Sequence, residues 1–175
     1  MSATTTATRI QPDEALVRWL LDHQIDHDLH RHELAFTATA TARAEGVTPK
    51  TFAKVVGVIT DDGRRALLVV CAEDHVDLAK ARRALSAGEV HLLPEAELEA
   101  LAPRCEPGAI PAVGALYGVP MYADYAIRDD RDLSFNAGTH RCSVRVDRSA
   151  WERAAGVLYA DLARVDDARP AWALS

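Results

Sequence analysis

At 175 residues the chain is the size of one ordinary domain, long enough to bury a core without disulfides or a structural metal. Hydrophobic residues at 49% and charged residues at 26% match an average globular protein and exclude a disordered or fibrous chain. The formal net charge of -6 argues against a broad electrostatic grip on nucleic acid, because phosphate binding rests on clustered Lys and Arg, and leaves room for a local basic pocket.

The first ten residues, MSATTTATRI, are polar and short, without the apolar core of a signal peptide or the length of a membrane span. They are read as part of a disordered tail over residues 1–11, followed by one domain over 12–165 and a C-terminal tail over 166–175, in a cytoplasmic protein with no membrane partner. Ala15, Leu16, Trp19 and Leu20 recur at helical spacing behind Pro12, predicting a helix to about His23. Ile25 to Leu34 alternates loosely and carries a weak strand signal. A short helix over Thr39 to Glu45 is expected to stop at Gly46.

The most regular part follows. Ala53 to Thr60 and Arg65 to Ala72 are β-branched runs joined by Asp61-Asp62-Gly63, a strong hairpin signal. Asp74 is expected to cap a helix over Val76 to Leu85, a short strand spans Glu89 to Leu93, and Pro94 opens a helix to Leu101. Pro103 to Pro120 is dense in proline and glycine with apolar residues interleaved, which predicts an ordered loop. Strands are expected at Met121 to Asp124, Leu133 to Ala137 and Cys142 to Asp147, and a helix at Ser149 to Ala155. Val157 to Arg164 fits either helix or strand. The uneven alternation predicts an α/β protein of the α+β type with a mixed, largely antiparallel sheet. Neither common glycine-rich nucleotide-binding signature is present.

Lys54 heads the first hairpin strand, where an apolar run begins, and is one of only three lysines in an arginine-rich chain. An ammonium there can extend into a pocket as a donor to a carbonyl, carboxylate or phosphate, although position alone favours a strand-edge lysine reaching water. Gly108, Pro111, Gly114 and Gly118 lie in the long loop, where backbone N–H groups can form an anion nest or oxyanion hole, or simply an ordered connection. His140, in a glycine-containing turn with Asn136 and Thr139, suits proton transfer or hydrogen bonding, against the ordinary case of an exposed loop histidine. His27, His30 and His32 match no standard metal site, and no metal or other cofactor is expected. Cys71, Cys105 and Cys142 read as reduced thiols, with Cys142 buried or half-buried. A triad hydrolase is disfavoured, since no nucleophile elbow is present.

Taken in order, several short segments resemble the YbaK family, also called the prolyl-tRNA synthetase-associated domain, whose members include free-standing aminoacyl-tRNA deacylases. The resemblance runs from about His32 to Asp147. Its carriers are the helix at Thr39 to Gly46, Phe52-Ala53-Lys54-Val55-Val56, Val76-Asp77-Leu78, and Cys105-Glu106-Pro107-Gly108-Ala109-Ile110-Pro111. Leu116 to Asp124 and Phe135-Asn136-Ala137-Gly138-Thr139-His140 complete the set. It implies a curved mixed sheet flanked by helices over 12–165, and a pocket for the 3′ end of a mischarged tRNA. Lys54 matches the family's near-invariant lysine. The loop with Gly108, Ala109, Ile110, Pro111 and Gly114 matches the segment that binds the aminoacyl group through backbone atoms. Gly138 matches a late glycine beside the pocket, and His140 a histidine found in some members. The implied activity is trans-editing hydrolysis of the terminal ester, with Lys54, Gly138 and His140 as catalytic positions and Asn136 and Thr139 among the substrate-binding ones. The implied partners are the tRNA acceptor end and a synthetase, with no DNA. A binding module of the same fold without turnover, and a hydrolase of another activated acyl compound, remain open readings.

Overall fold

The computed structural model describes residues 11–48 and 50–164. But for Gln11, the two expected tails lie outside the described residues. Helix α1 (Glu14–Asp22) turns Leu16, Trp19 and Leu20 into the core, the one-sided spacing its periodicity requires. Its entry is tied down by the Asp13 N–H, which donates to the Ala137 carbonyl at 2.8 Å. Strand β1 (His27–Arg31) follows, and α2 (Ala38–Glu45) starts where the Thr37 side chain accepts from the Ala40 N–H and stops at Gly46 in a left-handed conformation.

Strands β2 (Ala53–Thr60) and β3 (Arg65–Cys71) form the expected hairpin, closed by Thr60 N–H to Arg64 carbonyl at 2.8 Å. Helix α3 (Leu78–Ala84), strand β4 (Val90–Leu92) and helix α4 (Glu95–Leu101) come next. The cap of α3 is Asp77, whose carboxylate accepts from the Ala79 and Lys80 N–H groups, and not Asp74 as the sequence suggested. Either aspartate precedes an apolar run, but the Asp77 N–H is held by the Leu162 carbonyl at 2.8 Å, and that tertiary contact fixes where the helix begins. The long loop contains a single 3-10 turn at Gly114–Tyr117. A second, Tyr125–Asp129, follows β5 (Met121–Asp124) and was not foreseen. The chain finishes through β6 (Asp132–Thr139), β7 (Cys142–Asp147), α5 (Arg148–Ala155) and β8 (Leu158–Ala160), the last settling the ambiguous segment after Val157 as a short strand.

The strands form two sheets rather than one. A five-stranded sheet runs β4-β2-β3-β5-β8, antiparallel through its first three strands and parallel from β3 to β8; a three-stranded antiparallel sheet runs β1-β7-β6. A parallel bridge between Phe52 and Ser134 joins them. The architecture is therefore the mixed, largely antiparallel α/β domain expected. Strand β3 is central, with both faces covered, which is why Ala66 through Cys71 is a continuous apolar run rather than an alternating one. Fully buried Trp151, Phe135, Leu133, Leu67 and Leu16 share the main core, each large aliphatic or aromatic side chain contributing about 1.5–3 kcal/mol by leaving water. A smaller cluster of Phe52, Ala42 and Ala72 seats α2 on the sheet junction.

Candidate active site

Strand β4 pairs with Val58 to Thr60 of β2, so among the described residues one edge of the first half of β2 has no partner strand. That edge opens on a cavity of about 560 Å3. Its walls are Ala53 to Gly57 on β2, the Phe36 to Thr39 segment leading into α2, Ala72 and His75 beyond β3, Leu92, Leu93 and Leu98 around α4, Gly108 and Ile110 from the loop, and Asn136 on β6. Most of this surface is apolar and a few polar groups converge on it, the usual make-up of a small-molecule site.

Lys54 is half-buried, and its Nζ donates to the backbone carbonyl of Asp74. In the hairpin register Lys54 stands opposite Val70 and Ala53 opposite Cys71, so Lys54 lies near the end of β3, and its side chain reaches the turn that follows Cys71. Burial holds the Lys54 ammonium below the usual lysine range, and the nearby Asp74 carboxylate opposes that shift. The lysine does not simply run out into water.

Across the cavity, Ala109 is fully buried and its N–H is engaged by the Glu106 carbonyl at 3.0 Å. The N–H groups of Gly108 and Ile110 make no hydrogen bond among the described residues, and both residues line the cavity. Pro111 and Gly114 are buried behind the wall, where a Cβ on Gly114 would stand 2.5 Å from the Val119 carbonyl oxygen. The loop is held from behind by Trp151, whose indole N–H donates to the Ala112 carbonyl at 2.7 Å.

Gly138 and His140 lie next to the loop and are not part of the cavity wall. The Gly138 N–H donates to the Ala109 carbonyl at 2.9 Å, and its carbonyl accepts from the Glu106 N–H at 2.8 Å. At φ 92 Gly138 occupies the left-handed half of backbone space, where the β6–β7 register shifts between Asn136 and Thr139. His140 is buried, with Nε2 2.7 Å from the Pro107 carbonyl and Nδ1 3.2 Å from the Ala35 carbonyl. Thr139 is buried too, its hydroxyl accepting from the Arg141 N–H. Asn136 does reach the cavity, and its buried Oδ1 has no partner among the described residues.

Comparison with known proteins adds to this geometry. A profile described as the aminoacyl-tRNA editing domain matches residues 32–154, well over half of the chain. The chain belongs to the aminoacyl-tRNA editing domain family. Among solved structures, the hypothetical protein APE2540 superposes with a TM-score of 0.79 at 16% identity, covering 86% of this chain and all of that one. A candidate trans-editing enzyme for prolyl tRNA synthetase superposes with a TM-score of 0.75 at 21% identity, covering 86% of this chain and 95% of that one. At those identities the likeness is one of fold. No curated protein matches the chain in sequence.

Of the positions named from sequence in this editing domain, Lys54, Gly108, Ile110 and Asn136 meet at one cavity, while Ala109, Pro111, Gly114, Gly138, Thr139 and His140 form the layer behind it. Sequence reasoning missed Phe36, Thr37, His75 and Leu92, all of which line the cavity. His75 was within reach of the pairing argument, since the hairpin that places Cys71 beside Ala53 carries the chain on to His75. Phe36 and Leu92 carried no signal, because each joins the wall only through packing between separate elements. His27 and His32 turn Nδ1 onto the carbonyls of Ile25 and Glu33. His30 stands opposite Ser143, and among the described residues no group of three His, Cys, Asp or Glu side chains is arranged to hold a metal ion. The three cysteines are free and buried, and burial pushes the Cys142 thiol up to about 11, which keeps it in the neutral thiol form near pH 7. No helix among the described residues is long and apolar enough to cross a membrane.

Proposed function

We propose that this editing domain hydrolyses the ester joining an amino acid to the 3′ end of a mischarged tRNA. The observation that carries the reading is that Lys54, with its half-buried ammonium, lines the same cavity as Gly108 and Ile110, whose N–H groups are unengaged among the described residues. An aminoacyl ester is already activated, so its hydrolysis needs a placed water and donors for a developing oxyanion more than a protein nucleophile. The water oxygen bonds to the acyl carbon, and the carbonyl electron pair moves onto oxygen. The Gly108 and Ile110 N–H groups receive that charge. Collapse breaks the bond to the ribose oxygen, which takes the proton that the attacking water gives up, and releases the amino acid and tRNA with a free terminal hydroxyl.

In this scheme Lys54 orients the ester or the terminal phosphate as a fixed charge, and His75, an exposed histidine on the cavity wall, holds the water. Gly138 and His140 act from behind, by keeping the Gly108 loop in place. The acidic chain touches only the acceptor end, and a synthetase in the cytoplasm holds the rest of the tRNA. A deacylation panel of alanyl, seryl, cysteinyl and prolyl esters on their mismatched tRNAs, with and without a synthetase, tests the proposal. Turnover of at least one is expected, with Lys54→Ala slower by about a hundredfold, the usual scale for one charge-stabilising group. Full activity of Lys54→Ala rejects it.

A further inference from the structure

Two of the three phenylalanines, Phe52 and Phe135, are fully buried; the third, Phe36, is 68% exposed although it lines the cavity. A ring left mostly in water on a cavity wall is apolar surface that the described residues do not cover. Its position is nevertheless defined: it leans on the His140 ring, with centroids 5.1 Å apart and planes at 51°, and the Ala35 and Pro107 carbonyls pin that imidazole. On another wall of the same cavity, Leu92 is 56% exposed.

We propose that Phe36 is the stacking platform for the terminal nucleobase of the substrate, with Leu92 forming a second apolar side of the same subsite. The inference rests on the reading that the cavity takes aminoacyl-tRNA. In such a substrate the ester and the last base are carried by one ribose. An ester carbonyl held between Lys54 and the Gly108 and Ile110 N–H groups leaves the base at the mouth, where Phe36 and Leu92 lie. A base presents a π face that an aromatic ring accepts without reading its edge, and stacking of one base on one ring changes affinity by about tenfold to a hundredfold. The platform supplies grip on a constant feature of every acceptor end, leaving discrimination among amino acids to the interior of the cavity.

The test compares three substrates carrying the same amino acid: mischarged tRNA, the 3′-O-aminoacyl adenosine and the aminoacyl methyl ester, which has no base. Phe36→Ala is expected to lower kcat/KM at least tenfold on the first two, chiefly through KM, and to leave the methyl ester unchanged. Phe36→Trp is expected to retain activity on all three. An equal loss on the methyl ester, or no loss on any, overturns the platform. Since Phe36 is exposed, thermal melting of Phe36→Ala should match the wild type. If the wild-type protein hydrolyses none of the esters, the hydrolase reading fails and the platform is judged by calorimetry with the non-hydrolysable amide analogue of aminoacyl adenosine. Binding at least tenfold tighter than for the base-free amide, lost in Phe36→Ala, supports it; equal binding of the two amides overturns it.

Discussion

The Nε2 of His140 lies 2.7 Å from the carbonyl oxygen of Pro107, and the same ring places Nδ1 3.2 Å from the carbonyl of Ala35. Pro107 precedes the Gly108 loop and Ala35 precedes Phe36, so one side chain braces two lips of the cavity. Removing the ring takes the donor from at least one of these backbone carbonyls, a loss of about 1–3 kcal/mol. His140→Ala is expected to speed amide hydrogen exchange at residues 35–37 and 108–110 and to cut kcat/KM by about tenfold, the scale of a modest misplacement. Lost activity with unchanged exchange would assign His140 a direct part in the reaction.

Lys54 is held below the usual lysine range by burial. A base whose folded pKa is depressed binds fewer protons when folded than when unfolded. The penalty it imposes is present below the folded pKa and fades as pH rises toward the ordinary lysine value. Lys54→Met should therefore melt at a higher temperature than wild type at pH 7, with the difference shrinking as pH rises toward the ordinary lysine value, while deacylation is lost. A lower melting temperature at pH 7 would show that the Asp74 carbonyl contact outweighs desolvation.

Glu45, at the end of α2, has both carboxylate oxygens buried without a hydrogen-bond partner among the described residues, and burial raises it from 4.5 to about 7, opposed by Arg145. The folded state then holds a proton between pH 4.5 and 7 that the unfolded chain has released, so stability falls as pH rises through that window. Glu45→Gln removes the ionisation. It should stabilise by about 1–2 kcal/mol at pH 8, less than the full linkage value because part of the residue stays in water, and by far less at pH 5. Denaturant melts at the two pH values check this, and equal shifts at both contradict it.

Gly138 lies outside the cavity, yet a Cβ there would approach Asp13 Cβ at 2.9 Å and Cys105 Sγ at 3.4 Å, in a backbone conformation that L side chains avoid. Gly138→Ala is expected to cost about 1–3 kcal/mol in strain. It should also reduce deacylation, because the two hydrogen bonds from Gly138 to Glu106 and Ala109 set the Gly108 loop. Thermal melting and kcat/KM measured together should fall together.

Much of the fold was legible because its signals are local. Leu16, Trp19 and Leu20 repeat with the helical period and face the core. Asp61-Asp62-Gly63 permits little besides a hairpin, and Gly46 ends α2 where expected. Signals failed where two local patterns were equivalent. Asp74 and Asp77 both precede an apolar run, and only the Leu162 carbonyl chose between them. β8 is three residues long and acquires its identity from parallel pairing with β5.

By itself the sequence determined the class of the domain, the hairpin whose first strand carries Lys54, and the existence of an ordered proline- and glycine-rich loop, since these follow from periodicity, turn chemistry and the order of short motifs. Only the tertiary structure decided which residues reach the cavity. Among the described residues the N–H groups of Gly108 and Ile110 have no partner while that of Ala109 between them is engaged, and Phe36, His75 and Leu92 enter the wall from three separate segments. Likewise His140 braces Ala35 and Pro107 instead of facing the cavity. The physical reason is that a cavity is what remains after distant segments pack, and which side chains face it depends on register and on competing backbone partners that no local pattern records.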